Sequence, residues 1–211
     1  MRTLEELVNR DEPAMPLVHQ WIAQSVWPVE VLNPSEVRGE VLTGLQVTTR
    51  SPMGAIAYET GGILIDQGWL RILGSGHPRL PRNIVEWNAD RSDGHLLFAD
   101  DVVGGFFSLN AGAFGDDRGA VYYWAPDTLI WEPLSLGYSD FLTWALSDRL
   151  AVFYENFRWP NWEAEVRKAK GDQCFNFYPF LWSEQGSVKS SSRKLVSVAE
   201  QYAFNADASA Q

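Results

Sequence analysis

The sequence is poor in residues that cross-link a small protein. Its 211 residues include one cysteine, Cys174, which excludes an intramolecular disulfide and is typical of a reducing compartment. The three histidines lack the spacing of metal ligands, so we predict no metal site and no cofactor. A chain of this length can bury roughly 70% of its unfolded surface, which is enough for a stable core without such cross-links.

Long apolar runs are also missing. No segment reaches about 18 consecutive apolar residues, the length that a membrane-spanning helix needs. The first residues, MRTLEELVNRDEPAMP, have no apolar stretch of the kind found in signal peptides. We therefore expect a cytoplasmic protein that has no membrane partner.

Positive charge is scarce. The chain has 17 Lys and Arg against 27 Asp and Glu, a net charge of −10. Such a protein is repelled by the phosphate backbone, so we predict no nucleic-acid partner. The charge suits a basic protein partner, although acidic cytosolic proteins are common and the charge can simply aid solubility. The sequence leaves the oligomeric state open.

No catalytic motif is present. The nucleophile elbow G-x-S-x-G and both glycine-rich phosphate-binding motifs are absent, so we predict a protein that is not an enzyme and has no catalytic residue. Two pairs of acids remain, Asp100–Asp101 and Asp116–Asp117. Such pairs could bind a cation or share acid–base work, but the neighbouring glycines favour turns instead.

Hydrophobic periodicity predicts helices at both ends of the chain and a sheet between them, in residues 54–132. Consecutive short strands with tight turns favour an antiparallel meander. The expected fold is therefore α+β, with helices packed against a curved, mainly antiparallel central sheet and a helical C-terminal extension. We assign residues 1–158 to a core with N-terminal helices and residues 159–211 to an extension packed on the same domain.

The ten tryptophans are unusual for this length. Each carries a large apolar area, so most should be at least partly buried. Four of them should lie on or beside the sheet, with at least two more than three-quarters buried: Trp69, Trp87, Trp124 and Trp131.

The stretch GSGHPRLPR, residues 74–82, supports two interpretations. Gly74 and Gly76 could expose backbone N–H groups as an anion-binding nest, with Arg79 and Arg82 adding charge. The two prolines instead favour a stiff connector whose arginines tie loops together. The second interpretation is favoured, and the first leaves ligand or partner contact open.

Several segments, in this order, resemble the SUKH (Smi/Knr-like) superfamily over about residues 35–150. They are ETGGILIDQGWLRILGSG, IVEWN, LLFADDVVGGFFSLN and GAVYYWAPDTLIWEPLSLGYSDFL. Within them, LGSGHPRLPRNIVEWN and GYSDFL…FYENFRW are similar to an uncharacterised bacterial family of unknown function that spans nearly the whole chain. The chain departs from the superfamily at the GSGHPRLPR insertion and beyond Phe157.

The resemblance implies an α+β fold and a non-catalytic, protein-binding role, as in immunity proteins that neutralise a toxin. We expect contacts with a basic partner in two exposed connections, because loops on a rigid sheet often carry recognition. The candidate contact residues are Phe114, Asp116 and Asp117, followed by His77 and Arg79. The alternative is a small-ligand-binding protein, or an enzyme, with its site near the GSGHPRLPR loop.

Overall fold

A computed structural model describes residues 1–210. The helices are α1 (Leu4–Leu7), α2 (Met15–Ala23), α3 (Arg38–Leu45), α4 (Pro52–Glu59), α5 (Ile84–Asn88), α6 (Tyr138–Ala145), α7 (Arg149–Phe153), α8 (Trp162–Val166) and α9 (Val198–Ser209). The strands are β1 (Val29–Leu32), β2 (Gly62–Ile65), β3 (Leu70–Leu73), β4 (His95–Asp101), β5 (Phe106–Asn110), β6 (Val121–Trp124), β7 (Trp131–Pro133), β8 (Gln173–Tyr178) and β9 (Ser192–Ser197).

The fold centres on an open antiparallel sheet. Strands β1 to β7 lie side by side in chain order, and each pairs with the next in antiparallel orientation. This arrangement confirms the predicted α+β class and the antiparallel meander. In the described residues, no helix is long and apolar enough to cross a membrane.

The N-terminal boundary of the sheet differs from the prediction. Residues 54–59 belong to helix α4, and strand β1 lies in the first third of the chain, which we expected to be helical. Ser51 caps α4 by accepting a hydrogen bond from the Gly54 amide, and Pro52 occupies the first helical position. The five residues from Met53 to Ala57 are all buried, so the helix carries no polar face that would reveal its period.

The C-terminal segment is not purely helical. Strands β8 and β9 form a separate two-stranded antiparallel sheet before helix α9 begins. Hydrogen bonds fix the segment to the main sheet: the Phe175 amide donates to the Val102 carbonyl at 2.7 Å, and Asn205 Nδ2 donates to the Gly104 carbonyl at 3.3 Å. The segment therefore covers the end of the sheet at the β4–β5 turn.

Aromatic residues dominate the core. Trp69 is fully buried, and Trp87 and Trp124 keep only about a twentieth of their surface exposed. Trp131 is half-buried and stacks on Trp124, with ring centroids 5.5 Å apart. The predicted burial of these tryptophans is confirmed.

Candidate functional site

A transverse row of side chains crosses one face of the sheet from β1 to β4. In the strand register Glu30 lies opposite Leu64, Leu64 opposite Arg71, and Arg71 opposite Asp100. Directly paired residues of neighbouring strands project to the same face. The sheet therefore places an arginine between an apolar residue and a carboxylate, and this row forms the base of the candidate site.

Arg71 is the most tightly held member of the row. Only 1% of its surface is exposed, yet its guanidinium is charged. Its Nη2 lies 2.5 Å from Asp100 Oδ1 and donates to the Asp101 carbonyl at 2.9 Å, and its Nη1 donates to the Gln173 carbonyl. One cation therefore joins β3, β4 and β8. Its Nε has no hydrogen-bond partner within the described residues.

The GSGHPRLPR stretch forms a tight turn rather than an anion nest. His77 and Leu80 exchange backbone hydrogen bonds in both directions, so Pro78 and Arg79 form the tip of the turn. The Ser75 amide donates to the Thr60 carbonyl, and the Gly76 amide to the Gly61 carbonyl. Because these amides are already bonded to the protein, the nest interpretation is wrong.

The two arginines of the turn tie it to the rest of the molecule, as the connector interpretation predicted. Arg79 makes an ion pair with Glu30 on strand β1. Arg82 lies 2.5 Å from Asp100 Oδ2 and donates to the Gly171 carbonyl at 2.8 Å. Asp100 thus sits between two guanidiniums, and the turn is anchored both to the sheet and to the segment after α8.

The segment after α8 packs directly against the turn. A Cβ atom on Gly171 would lie 2.1 Å from the Arg79 carbonyl oxygen and 3.0 Å from Leu80 Cα, so only glycine permits this approach. The same segment carries three basic side chains in the sequence Arg167-Lys168-Ala169-Lys170. The contact therefore brings these cations beside Arg79.

Between these elements lies a cavity of about 760 Å³. Its volume is within the range of pockets that hold small organic ligands, about 300–1,000 Å³. Five basic and two acidic residues line it, on a chain whose net charge is −10. The lining residues are Pro28, Val29, Glu30, Leu64, Gln67, Gly68, Arg71, Pro78, Arg79, Pro81, Val102, Val166, Arg167, Lys168, Ala169, Lys170, Gly171 and Asp172.

The nucleophiles of serine- and cysteine-type enzymes lie outside the cavity. Its described lining contains no serine, threonine, cysteine, histidine or tyrosine. Cys174 is fully buried nearby, and burial raises the pKa of its thiol to about 12, which keeps it protonated at neutral pH. The described lining is therefore rich in charged side chains and holds no hydroxyl, thiol or imidazole group.

The paired acids at the end of β4 have different roles. Asp101 Oδ1 accepts hydrogen bonds from the Val103 and Gly105 amides, as the turn interpretation predicted. Its Oδ2 accepts from the Tyr123 and Tyr154 hydroxyls at 2.8 and 2.9 Å. Burial raises the pKa of this carboxyl, despite the four donors. Asp100, in contrast, serves as the ion-pair partner of the two arginines described above.

The structure does not bring the predicted contact residues together. The connection with Phe114, Asp116 and Asp117 follows β5 at the end of the ladder where His95 pairs with Asn110. The cavity lies beyond the opposite end of β4, which is seven residues or roughly 20 Å long. Of the five predicted residues, Arg79 alone lines the cavity.

The 111–119 connection is exposed but internally ordered. Phe114 packs on Tyr122 and Trp131, with centroid distances of 4.7 and 4.8 Å, so its ring is not a free anchor. Asp117 accepts hydrogen bonds from Asn110 Nδ2 and the Tyr122 hydroxyl. Asp116 is exposed, and His77, half-buried at the far turn, accepts the Arg79 amide on Nδ1.

Sequence reasoning missed the basic residues after α8. Arg167, Lys168 and Lys170 carry more than a sixth of the positive charge of an acidic chain within four positions. That concentration was the available signal. Their proximity to Arg79 could not be read from the sequence, because about 90 residues separate the two segments.

Comparison with known proteins identifies relatives but no activity. The family described as "Protein of unknown function DUF2625" matches residues 4–201. The uncharacterized protein YbfG of Escherichia coli (strain K12) is 48% identical over 204 residues, covering 95% of this chain and 94% of that protein. An uncharacterized protein of Haemophilus influenzae is 42% identical over 189 residues, covering 86% of this chain and 83% of that protein.

The expected membership of the SUKH superfamily is wrong. The family match over residues 4–201 and both bacterial relatives point to a family of unknown function, and none of them is described as a SUKH protein. The shared segments were short apolar strands and glycine turns, which many antiparallel sheets contain. The immunity role was inferred from that resemblance, so it loses its main support.

Proposed function

This chain belongs to the DUF2625 family, and from that premise we propose that it is a non-catalytic binding protein that holds a small ligand in the cavity beside the His77–Leu80 turn. The observation that carries the proposal is the cavity itself, with five basic side chains in its wall. Large pockets with a few convergent polar groups are the usual binding sites of proteins.

Contacts within the protein hold the base of the cavity together, which favours binding. Arg71 joins three strands beneath it, Arg82 bridges Asp100 to the Gly171 carbonyl, and Gly171 contacts Arg79 directly. A site that is already ordered loses little conformational entropy when it binds.

The lining supports binding without turnover. Its two carboxylates are Glu30, which is paired with Arg79, and Asp172. The described lining holds no Ser–His or Cys–His pair of the kind that activates a protein nucleophile. These features support the proposal of a ligand-binding protein rather than an enzyme.

The test blocks the cavity with one side chain. Ala169 is half-buried in the wall, so Ala169→Trp should fill space in the cavity without disturbing the core. Ala203→Trp, on the exposed surface of α9, is the matched control. Ligand-detected NMR with a mixture of polar metabolites should show small molecules that bind the wild type and the control but not Ala169→Trp.

The same samples test the absence of catalysis. Any bound molecule should be recovered unchanged after prolonged incubation with the protein. Binding that survives equally in Ala169→Trp would rule out the cavity as the site. Conversion of a bound molecule, abolished by Ala169→Trp, would identify an enzyme instead.

Binding of a basic protein remains a second candidate. The observation in its favour is the exposed 111–119 connection, where Asp116 and Asp117 lie together on a backbone ordered by Asn110. Ordered acidic loops can steer a basic partner. This surface lies at the other end of β4 from the cavity, so the two functions would not compete for residues.

A further inference from the structure

We propose that the ligand of the cavity is a small phosphate ester, whose phosphate group binds Lys168, Lys170 and Arg79 and whose organic part contacts the apolar wall. This inference rests on the proposed function, because it names the class of molecule that the same cavity holds. The observation behind it is that some cations in the cavity wall form ion pairs with carboxylates of the protein and others do not.

Three of the five cations have no carboxylate partner. Arg71 is paired with Asp100, and Arg79 with Glu30. Lys168 and Lys170 make no ion pair with any residue that the structure describes, and both are exposed at the cavity. Two ammonium groups without an ion pair match an anion that carries two charges, and a phosphate monoester carries two near neutral pH.

Arg167 adds a third cation at the same edge. Its Nε donates to Gln67 Oε1 at 3.1 Å, so a neutral amide orients the guanidinium without cancelling its charge. A single carboxylate ligand would leave part of this positive charge uncompensated. The charge of the wall therefore favours a dianion over a monoanion.

The rest of the cavity is suited to an organic group. Val29, Leu64, Val102 and Val166 line it along with three prolines, and inorganic phosphate alone would fill only a small part of about 760 Å³. An apolar or mixed moiety attached to the phosphate would cover these side chains and gain from removing them from water. The ligand is thus expected to be an ester rather than the free ion.

Glu30 acts as an internal competitor for the phosphate. Its carboxylate pairs with Arg79 at the mouth of the cavity, and both side chains are about half exposed. Exposed pairs of this kind are weak, so an incoming dianion can take the guanidinium from the carboxylate. Removing the charge of Glu30 should therefore strengthen binding, which is the opposite of what truncating a contact residue does.

The experiment uses three probes that share one ring. Isothermal titration calorimetry of the full-length protein compares phenyl phosphate, a dianion, with benzoate, a monoanion, and with benzyl alcohol, which is neutral. We expect phenyl phosphate to bind tightest and benzyl alcohol weakest. The affinity for phenyl phosphate should fall steeply with added salt, since exposed charges are screened.

The four lysines of the chain supply a matched pair of variants. Lys168→Ala with Lys170→Ala should weaken phenyl phosphate binding by about tenfold or more, since two charge-assisted contacts are lost. Lys189→Ala with Lys194→Ala removes the other two lysines, both exposed and outside the cavity, and should leave the affinity unchanged. Glu30→Gln should raise the affinity roughly threefold.

The outcomes separate this inference from the proposed function. If the three probes bind equally, or if the Lys168/Lys170 variant binds phenyl phosphate as tightly as the wild type while Ala169→Trp still blocks binding, the cavity is a ligand site but the phosphate assignment is wrong. If no probe and no polar metabolite binds, both are overturned. Tighter binding in Glu30→Gln together with loss in the lysine variant supports the phosphate ester.

Discussion

At the scale of single residues, the pairing of Arg71 with Asp100 should matter for stability because both side chains are buried. Arg71→Leu would leave Asp100 buried with Arg82 as its remaining cation and would free the Gln173 and Asp101 carbonyls. Breaking a buried pair in this way costs about 3–5 kcal/mol. We expect the free energy of unfolding, measured by urea denaturation, to fall by about 3 kcal/mol.

The control for Arg71 is an exposed pair. Arg50 contacts Glu12 at 2.6 Å, but both side chains are 65% exposed. Arg50→Leu should change the free energy of unfolding by less than about 1 kcal/mol. Equal decreases in the free energy of unfolding of the two variants would show that burial does not make the Arg71 ion pair more stabilising than an exposed one.

The half-buried imidazole of His95 should make the stability of the protein depend on pH. It packs against Phe114 and Trp131, with ring centroids 5.1 and 5.6 Å away, and burial lowers the pKa of its imidazole below 6.5. The unfolded chain therefore takes up a proton at His95 at a higher pH than the folded protein does. As the pH is lowered from about 6.5 to the pKa of the folded protein, the free energy of unfolding should decrease.

The measurement compares two histidine variants. His95→Gln should lose less stability than the wild type when the pH is lowered from about 7.5 to about 5, because the titrating group is gone. His19→Gln, at an exposed position of α2, should follow the wild type. If His95→Gln shows the full wild-type loss in urea titrations at both pH values, the lowered pKa of His95 is not responsible.

At the scale of elements, the turn and the segment after α8 act as one unit. Gly171→Ala would place a Cβ 2.1 Å from the Arg79 carbonyl oxygen, so the two backbones must separate. Overpacking of this kind costs about 1–3 kcal/mol. We expect a lower free energy of unfolding and weaker binding of phenyl phosphate, because the cavity wall would shift.

Gly39→Ala provides the comparison. Gly39 lies in helix α3, where a Cβ would meet only the tip of Leu4, and alanine is the better helix former. This variant should be as stable as the wild type or slightly more stable. A Gly171→Ala protein with unaltered stability and binding would mean that the backbone contact at Arg79 is easily relaxed.

At the scale of the whole molecule, the net charge of −10 should steer a basic protein partner. If such a partner is identified, Asp116→Asn with Asp117→Asn should slow its association mainly at low salt. The charge-matched control is Asp148→Asn with Glu155→Gln, both at exposed positions. Stopped-flow rates that are equal in the two variants would mean that the 111–119 connection does not direct the encounter.

The sequence predicted the fold class better than the site. Strand periodicity and turn residues such as Pro126-Asp127 led to the antiparallel meander, because these signals are local. Helix α4 was misread since all its central residues are buried, and burial on every side removes the periodic signal. The cavity could not be predicted from the sequence. Arg79 and Lys168 line it together only because Gly171 packs against the Arg79 backbone.

The close approach at Gly171 also gives a way to sort the relatives of this protein. A homologue that has any other residue at this position must hold the two backbones further apart, and its cavity would differ in shape. Relatives that share the proposed site are therefore expected to have glycine here, together with lysines at the positions of 168 and 170. Within the family, these three aligned positions would separate relatives that retain the cavity from those that keep only the fold.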